Sequence, residues 1–267
     1  MHRILYIFIA FLSLMLTYGC QTEEMKIRLT REQKERLRKE DSAALKIGIL
    51  PTEDCLPILV AKELRLFDTL GVSVHLRKYH ALSECRKALK DSLVEGALLD
   101  SLLFSQMKAN GTPLTGGLET NLSWKFLTSK KARIKRLEQL ADKMVAADSH
   151  GMTHQLAEKA IDSLLKKKQM VFIIQVEDVR VRSSMLASGN IDAALLPEPF
   201  ATKLQKQGAK WLKRVKSEPC GIIAMRKESM ESKDRRKQLE LFRKAVKIAD
   251  DSISTYGKDN YTHLLGW

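Results

Sequence analysis

The 267-residue chain is poor in the residues that mark several protein classes. It has 4 cysteines, 13 glycines and 6 prolines, and its aromatic fraction is 6%. So few cysteines exclude a small disulfide-stapled scaffold, and so little glycine and proline exclude collagen-like and low-complexity chains. No CxxC pair occurs, which argues against a zinc ribbon or a thioredoxin-like site.

The overall composition is that of a folded protein. Hydrophobic residues make up 44%, charged residues 29%, and the formal net charge is +14. The length allows one large domain or two lobes of roughly 100 residues each. The basic runs at 166–168 and 203–216 contain few interleaved aromatic residues, so we interpret them as solvated faces and expect no nucleic-acid partner.

The chain begins with the pattern of an export signal. A short basic start, His2 and Arg3, precedes an apolar run over Ile4–Leu16. That run is shorter than the about 20 apolar residues that a membrane span needs, but it fits the core of a signal peptide. We therefore predict a signal peptide over residues 1–19, with an uncleaved membrane anchor as the alternative.

The end of this segment resembles a bacterial lipobox, in which a small residue precedes a cysteine that becomes lipidated. Gly19 and Cys20 match, whereas Thr17 stands where leucine is preferred and Tyr18 is bulky. The resemblance implies lipidation of Cys20, and several acyl chains together give stable anchoring. The cysteines that remain allow at most one internal disulfide, of unassigned pairing: Cys55, Cys85 and Cys220.

Residues 20–44 alternate basic and acidic side chains and contain few large apolar residues. Such a segment buries little surface by itself, so we expect a flexible or intermittently helical tether that holds the globular part off a membrane. A stable helix packed on the fold is the alternative.

From Leu45 onward, short apolar runs alternate with amphipathic stretches. The apolar runs predict strands near residues 45–50, 72–76, 94–99, 114–118, 124–128, 144–147, 171–176, 191–196, 209–215 and 220–225. The run at 171–176 is continuous, as in strands that are buried on both faces. Repeated β-α-β units predict an α/β protein with mostly parallel sheets, and two sets of units predict two lobes.

Ligands of open α/β sheets bind beyond the carboxyl ends of the strands. Residues at those ends, most of them polar, form the predicted ligand-binding set: Thr52, Glu53, Asp54, Asp100, Ser101, Ser149, Gly151, Met152, Thr153 and Glu198. The residues from Ser149 to Thr153 precede a helix, whose free N–H groups and dipole suit an anion. Glu53 would repel an anion and suits a ligand amine instead. Asp54, Asp100 and Ser101 are expected first as helix caps, with ligand contact as their second role. Capping by Asp148 or Ser149 is the alternative at the later turn, and a plain turn is the alternative for Glu198.

Catalytic and metal-binding motifs are missing from the sequence. There is no GxSxG, P-loop, GxGxxG or HExxH pattern, so hydrolase, NTPase, dinucleotide-binding and zinc-protease functions lack support. His150 and His154 lie four residues apart, but a zinc site needs at least a third ligand. We predict no enzyme activity, no metal and no cofactor.

The segment Gly189–Thr202, GNIDAALLPEPFAT, resembles bacterial ABC-transporter substrate-binding proteins of the nitrate/sulfonate/taurine and thiamine-precursor type, which carry G-x-I/V-D-A-A-x-x-x-E-P. Leu45–Leu50 is similar to the opening strand of that family. Val60–Phe67 is similar to its A-x-E-x-G-L-F helix end, with Arg65 in place of glycine. Leu137–Ala146 is similar to its L-x-D-L-K-G-K-x-V-A stretch, again without the glycine.

The resemblance implies a two-lobed clamshell, the type 2 periplasmic binding protein fold, in which each lobe is a mostly parallel sheet flanked by helices. Lobe 1 would comprise residues 45–127 and 219–267, and lobe 2 residues 128–218, with crossing strands as the hinge. A ligand between the lobes would favour the closed state by contacting both. The family usually carries further helical sequence after the position of Tyr261, so this chain is either a compact branch or shortened.

The resemblance also implies the extracytoplasmic solute-binding component of an ABC importer. Such a protein captures a small metabolite, here anionic or heterocyclic, and delivers it to permease and ATPase subunits. We expect a monomeric lipoprotein of the cell envelope that faces the periplasm or the exterior. Two alternatives remain: a pyrimidine-precursor synthase-like enzyme on the same fold, whose clustered cysteines this sequence lacks, and a non-transport ligand-sensing lipoprotein.

Overall fold

The computed structural model describes residues 31–166 and 169–267 of the chain. The predicted signal peptide, Cys20 and the first part of the predicted tether, to residue 30, lie outside the described residues. The described part of the tether forms helix α1, Arg31–Ala43. Its Arg36 and Glu40 side chains form an ion pair at 2.9 Å, the i,i+4 spacing that supports charged helices.

The residues from 43 onward form a separate compact unit with two β-sheets. Its strands are β1 (Leu45–Ile49), β2 (Val74–Lys78), β3 (Gly96–Asp100), β4 (Leu114–Thr120), β5 (Lys125–Thr128), β6 (Met144–Ala147), β7 (Phe172–Gln175), β8 (Ala193–Leu196), β9 (Lys210–Lys216) and β10 (Gly221–Arg226). Its helices are α2 (Leu56–Glu63), α3 (Leu66–Thr69), α4 (Leu82–Lys90), α5 (Ser101–Ala109), α6 (Met152–Leu165), α7 (Val179–Ser188), α8 (Phe200–Lys206) and α9 (Lys233–Tyr256).

The two sheets are built on the same plan. The first has the order β2-β1-β3-β10-β4 and the second the order β7-β6-β8-β5-β9. In the first sheet β10 runs antiparallel to both of its neighbours, and in the second β5 does. The other four strands of each sheet therefore point the same way. This confirms the predicted α/β class with mostly parallel sheets.

Central strands are the most deeply buried. All five residues of β3 and all four residues of β8 are buried, because each strand has a neighbour on both sides and helices on its faces. The expectation that the strand near 171–176 is also buried on both faces is wrong. Strand β7 lies at a sheet edge, and Phe172 is 49% exposed.

The chain crosses between the sheets twice. The first crossing segment, residues 121–124, joins β4 to β5, and the second, residues 217–220, joins β9 to β10. The two segments run side by side: the Trp124 N–H donates to the Ser217 side-chain oxygen at 2.8 Å, and the Cys220 N–H donates to the Leu122 carbonyl at 2.8 Å. The predicted division into lobes stays a prediction, although β5 already pairs within the second sheet, before the expected boundary at residue 127/128.

Helix α9 covers one face of the first sheet. Its buried residues include Leu239, Phe242 and Val246, spaced at three and four positions as on one face of a helix. The Phe242 ring stacks on Phe67 of α3 with centroids 5.6 Å apart. This face anchors the carboxyl-terminal helix to the core.

Two positions where glycine is usual in the resembling family take a left-handed backbone here. Arg65 has φ 54° and Asp142 has φ 57°. Such angles cost a residue with a Cβ about 1–2 kcal/mol, which glycine would not incur. The fold thus keeps the backbone shape of a glycine at both positions without the residue itself.

Two short elements depart from simple local patterns. Helix α8 begins at Phe200, directly after Pro199. The sequence of residues 134–141 predicts a short helix, but the structure has a single 3-10 turn there, Leu137–Leu140. In the described part of the chain, every helix is too short or too polar to traverse a lipid bilayer.

Candidate functional site

The predicted site residues fall into two groups at the carboxyl ends of the strands. One group surrounds a cavity beside the first crossing segment: Glu53, Asp54 and Glu198. The other lies where the β3–α5 turn meets the start of α6: Asp100, Gly151 and Met152. The remaining predicted residues flank these groups, and ligand contact stays a prediction for all of them.

The cavity has a volume of about 240 Å³ and is lined by loops from both sheets. Its polar lining consists largely of acids and amides and includes Glu53, Asp54, Asn121, Glu198, Asp250 and Lys258. The Glu53 N–H donates to the Glu198 carbonyl at 2.9 Å, which ties the β1 loop to the β8 loop. The cavity therefore lies between the two sheets.

The acids of the cavity differ in how they are paired. Glu53 forms an ion pair with Lys258 at 2.9 Å. The Thr120 hydroxyl donates to Asp54 Oδ2 at 2.8 Å, but Asp54 Oδ1 is buried without a partner. Burial raises the pKa of Asp54 despite that hydrogen bond. Asp54 lies within the 3-10 turn Glu53–Cys55 and does not cap α2, so the capping alternative is wrong for this residue.

Glu198 is held by contacts within its own sheet. Its carboxylate accepts hydrogen bonds from Lys125 and from the Thr202 N–H and hydroxyl. Burial by itself raises the pKa of Glu198, but the bonds from Lys125 and Thr202 outweigh it and hold the pKa below its usual value. Glu198 is consequently a paired anion that connects β5 to α8.

In the second group, the Asp100 carboxylate accepts hydrogen bonds from the starts of two helices, α5 and α6. Asp100 Oδ1 accepts from the Leu103 N–H at 2.8 Å, as a cap of α5. Asp100 Oδ2 accepts from the Met152 N–H at 2.8 Å, at the start of α6 in the second sheet's layer. The predicted cap of Asp100 is therefore present, and the same side chain also joins the two layers.

Asp148 accepts hydrogen bonds from two further backbone N–H groups at the start of α6. Its Oδ1 accepts from the Gly151 N–H at 2.8 Å and from the His154 N–H at 3.3 Å. Its own N–H donates to the Thr153 hydroxyl at 2.8 Å. Thr153 is fully buried, so it shapes this turn from the inside and presents no surface to the cleft in this arrangement.

A third carboxylate completes the cluster. Glu177, at the end of β7, accepts from the Ser149 N–H at 2.8 Å. Burial raises the pKa of Glu177, but the bonds from Ser149 outweigh it and lower the pKa overall. We call Asp100, Asp148 and Glu177 the carboxylate cluster.

The pKa of Asp100 is raised by its surroundings. Burial raises its pKa to about 6; hydrogen bonds from Leu103 and Met152 oppose this, and the nearby Asp148 carboxylate adds to it. Asp100 is fully buried and Asp148 is 5% exposed. Burial raises the pKa because a charged carboxylate loses its hydration in the protein interior, which favours the protonated form.

Gly151 allows the two aspartates to come together. A Cβ at this position would lie 2.7 Å from Asp100 Oδ2 and 2.7 Å from Asp148 Oδ2. Real Cβ atoms do not approach oxygen that closely, so any other residue would push the carboxylates apart. The predicted site residue Gly151 is required for the geometry of the cluster.

Arg182 is a site-region residue that the sequence prediction missed. It is 1% exposed and donates to the carbonyls of Val176, Glu177 and Leu195. Asp148 and Glu177 interact electrostatically with its guanidinium. A signal was present in the sequence, since Arg182 lies on the apolar face of α7 between Val179 and Leu186 at helical spacing.

The other predicted residues lie at the margins. Thr52 is fully buried. Ser101 begins α5, is exposed, and donates its N–H to the Cys220 carbonyl at 2.7 Å. Within residues 31–166 and 169–267, no group of three or more histidine, cysteine or acidic side chains is arranged to hold a metal ion. Free thiols are found at the cysteines of this part: Cys55, Cys85 and Cys220.

Solved structures similar to this chain are binding proteins by name. One is a ligand-binding component of an ABC-type import system from Staphylococcus aureus with zinc bound, at 17% identity and TM-score 0.63, covering 84% of each chain. Another is the alkanesulfonate-binding protein SsuA from Xanthomonas axonopodis pv. citri bound to MOPS, at 16% identity and TM-score 0.63, covering 84% of this chain and 78% of the other. At these identities the likeness establishes the two-lobed periplasmic binding protein fold.

Sequence comparison gives a short curated relative and a family. The nitrate import ATP-binding protein NrtC of Synechococcus elongatus is 36% identical over 55 residues, which are 21% of this chain and only 8% of that protein. The model of the NMT1-like family matches residues 38–260. That match spans most of the 267 residues and both sheets, and the chain belongs to the NMT1-like family.

Proposed function

We propose that this protein is the extracytoplasmic solute-binding component of an ABC importer and that it catalyses no reaction. One observation carries the proposal: two sheets of the same topology are joined by two adjacent crossing segments, Asn121–Trp124 and Ser217–Cys220, with an acid-lined cavity between the loops. Paired crossings of this kind allow two bodies to hinge about a cleft.

The ligand is proposed to be a small metabolite captured between the two lobes. The cavity of about 240 Å³ beside the first crossing segment is slightly smaller than the about 300 Å³ at which typical small-molecule sites begin, which favours a small ligand. Glu53, Asp54 and Glu198 are proposed to contact it there, with Asp100 and the turn from Ser149 to Thr153 at the other end of the cleft. The sequence expectation of an anionic or heterocyclic ligand stays a prediction.

Permease and ATPase subunits are the proposed partners. The Staphylococcus aureus structure is named as part of an ABC import system, and NrtC is named as the ATP-binding protein of nitrate import. We propose that the ligand-closed, monomeric form docks on a permease, because a closed form presents both lobes in one fixed arrangement.

We propose further that the mature protein is a lipoprotein anchored through Cys20 in the cell envelope. The support is the lipobox-like Gly19-Cys20 pair after an apolar run. Because Cys55, Cys85 and Cys220 are free thiols, the unfolded mature protein should show three reactive thiols if Cys20 is blocked as a thioether. Four reactive thiols, or membrane association that Cys20→Ser retains, would contradict lipidation.

Ligand capture is tested by thermal unfolding in a panel of small metabolites together with small-angle X-ray scattering. A ligand at 100 times its Kd should add about 2.7 kcal/mol to the free energy of unfolding. The same ligand should reduce the radius of gyration if it closes a hinge. Stabilisation without compaction would contradict the hinged clamshell, and no stabilisation by any sulfonate, amine, pyrimidine or amino acid would contradict solute capture.

A further inference from the structure

The start of α6 does not offer the free donors that an anionic ligand would need. The N–H groups of Ser149, Gly151 and Met152 donate to Glu177, Asp148 and Asp100, each at 2.8 Å. A helix start binds anions through such N–H groups. Here the carboxylate cluster already satisfies them, so an incoming sulfonate, nitrate or carboxylate would have to displace a carboxylate of the protein.

One oxygen of the cluster is left for a donor from outside. Asp148 is only 5% exposed, and its Oδ2 is buried without a hydrogen-bond partner. A buried carboxylate oxygen without a donor is costly. Asp148 lines a space between the loops that measures only about 10 Å³ in this arrangement. A ligand group therefore reaches this oxygen only when the loops separate and close again around it.

The nearest buried base does not neutralise the cluster by direct contact. Arg182 directs its guanidinium at three backbone carbonyls, of Val176, Glu177 and Leu195. Arg86 and His150 line the outer side of the same space beside Ser83. The carboxylates that line this space are Asp148 and Glu177, and Asp148 Oδ2 is the carboxylate oxygen there that has no donor.

The second cavity has the same sign. Asp54 Oδ1 is buried without a partner, and Glu53, Glu198 and Asp250 line the cavity with Lys258 as its basic residue. This excess of acid is not a consequence of composition, because the whole chain carries a net charge of +14. The excess is local, since Lys258 and Lys125 pair with Glu53 and Glu198, and the cavity next to His150 is lined by Arg86, Lys87 and Lys90. A local excess of one sign of charge raises the concentration of ligands of the opposite sign.

We propose that the cleft recognises a protonated nitrogen group, such as an amine, amidine or guanidine, and that Asp148 Oδ2 is the acceptor that receives its N–H. This inference rests on the proposed solute capture and assigns its ligand class. Asp100 and Glu177 add negative charge on either side, while Gly151 keeps the approach to both aspartates open. An N–H donor on the ligand would give Asp148 Oδ2 the partner that it lacks in the structure.

The test uses probes of opposite charge on the full chain: benzamidine against the similarly shaped benzoate, and butylguanidine against butanesulfonate; agmatine adds a second positive charge to the alkyl guanidine. Calorimetric titration and thermal unfolding should show saturable binding of benzamidine, butylguanidine or agmatine and no binding of either anion. Asp148→Asn should weaken the cation at least about tenfold, the loss expected for a charged hydrogen bond. Asp68→Asn, an exposed aspartate on α3 with the same charge change, should leave the affinity unchanged.

The outcomes separate this inference from the proposed function. Binding of benzoate or butanesulfonate without binding of the cations overturns the assigned ligand class but leaves solute capture standing. Cation binding that both Asp148→Asn and Glu177→Gln retain overturns the placement at the carboxylate cluster. A chain that binds none of these probes overturns the assigned ligand class, while solute capture is decided separately by the wider metabolite panel. Glu177→Gln provides a second variant if Asp148→Asn fails to fold.

Discussion

Asp100 and Met152 are joined by a 2.8 Å hydrogen bond from the Met152 N–H to Asp100 Oδ2, across 52 positions of the chain. The bond connects the carboxyl end of β3 in the first sheet to the start of α6 beside the second. Asp100 also caps α5. One buried carboxylate thus holds two helix starts from the two layers.

The first prediction concerns the pH dependence of this contact. The pKa of Asp100 is raised from 3.8 to about 6, so the protonated form is favoured by folding. Its contribution is fully present below the unfolded pKa and is lost as pH rises through the folded one. Relative to Asp100→Asn, the wild type should lose about 3 kcal/mol of unfolding free energy between about pH 4 and about pH 7.

That difference is measured by urea unfolding of the two proteins across the pH range. The carboxylates with lowered pKa, Glu177, Asp178 and Glu198, remain in both proteins, so their opposite pH dependence cancels in the comparison. A wild-type-minus-variant difference that does not change with pH would show that Asp100 is not perturbed.

Thr153 should prove structural at the α6 turn. Thr153→Val keeps the shape but leaves the buried Asp148 N–H without its acceptor, at an expected cost of about 1–3 kcal/mol. Thr153→Ser keeps the hydroxyl. Hydrogen exchange of the Asp148 amide should therefore accelerate in the valine variant and stay slow in the serine variant; equal protection in both would contradict the bond.

Arg182 should be among the side chains whose loss costs most stability. Arg182→Met leaves three carbonyls without a donor. It also removes the buried positive charge near Asp148 and Glu177. We therefore expect the free energy of unfolding to fall by about 3–5 kcal/mol. Arg182→Lys should recover little, since one ammonium cannot reproduce the guanidinium fork. Chemical denaturation measures both, and near-wild-type stability of the lysine variant would contradict the role of the fork.

Gly221 should be required where β10 leaves the second crossing segment. A Cβ there would lie 2.0 Å from Thr120 Oγ1 and 2.6 Å from Leu122 Cβ. Gly221→Ala should therefore cost about 1–3 kcal/mol through overpacking. Gly116→Ala on the neighbouring strand is the matched control, because its Cβ would meet only Ile222 Cδ1 at 3.3 Å. Equal melting temperatures of the two variants would refute the close approach.

Restoring glycine at the left-handed positions should stabilise the fold. Arg65→Gly and Asp142→Gly relieve backbone angles of φ 54° and 57°, and each should raise the unfolding free energy by up to about 1 kcal/mol. Lys62→Gly, inside helix α2, is the control and should lower it by about 1 kcal/mol. Destabilisation by all three variants would show that the left-handed angles carry no strain.

Local patterns in the sequence were sufficient to predict where most elements lie, but not how those elements are arranged next to one another. Gly189 ends α7 with φ 73°, as its place after an amphipathic stretch predicted. The apolar run at β7 predicted a strand correctly but not its edge position, because strand order is set by long-range pairing and leaves no mark on a short run. Helix α8 was missed because Pro199 precedes it rather than interrupts it.

The candidate site shows the same division. Asp54, Asp100 and Glu198 lie beyond strand ends as predicted, since topology places those ends together at one edge of each sheet, and their contact with a ligand stays a prediction. Asp148, Glu177 and Arg182 were missed as members of the site, because their roles depend on which side chains face one another across the cleft. Capping alone, for example, did not reveal that Asp100 has a second partner in Met152.

The sequence by itself determined the strands, most helices and the family, because hydrophobic periodicity and turn residues act over a few positions and are written directly in the chain. Only the tertiary structure decided which charges meet at the start of α6. The net charge of +14 describes the chain as a whole, whereas folding brings three carboxylates to that helix start and directs the Arg182 guanidinium at backbone carbonyls. Electrostatic character at a site depends on distance and burial, which the order of residues does not contain.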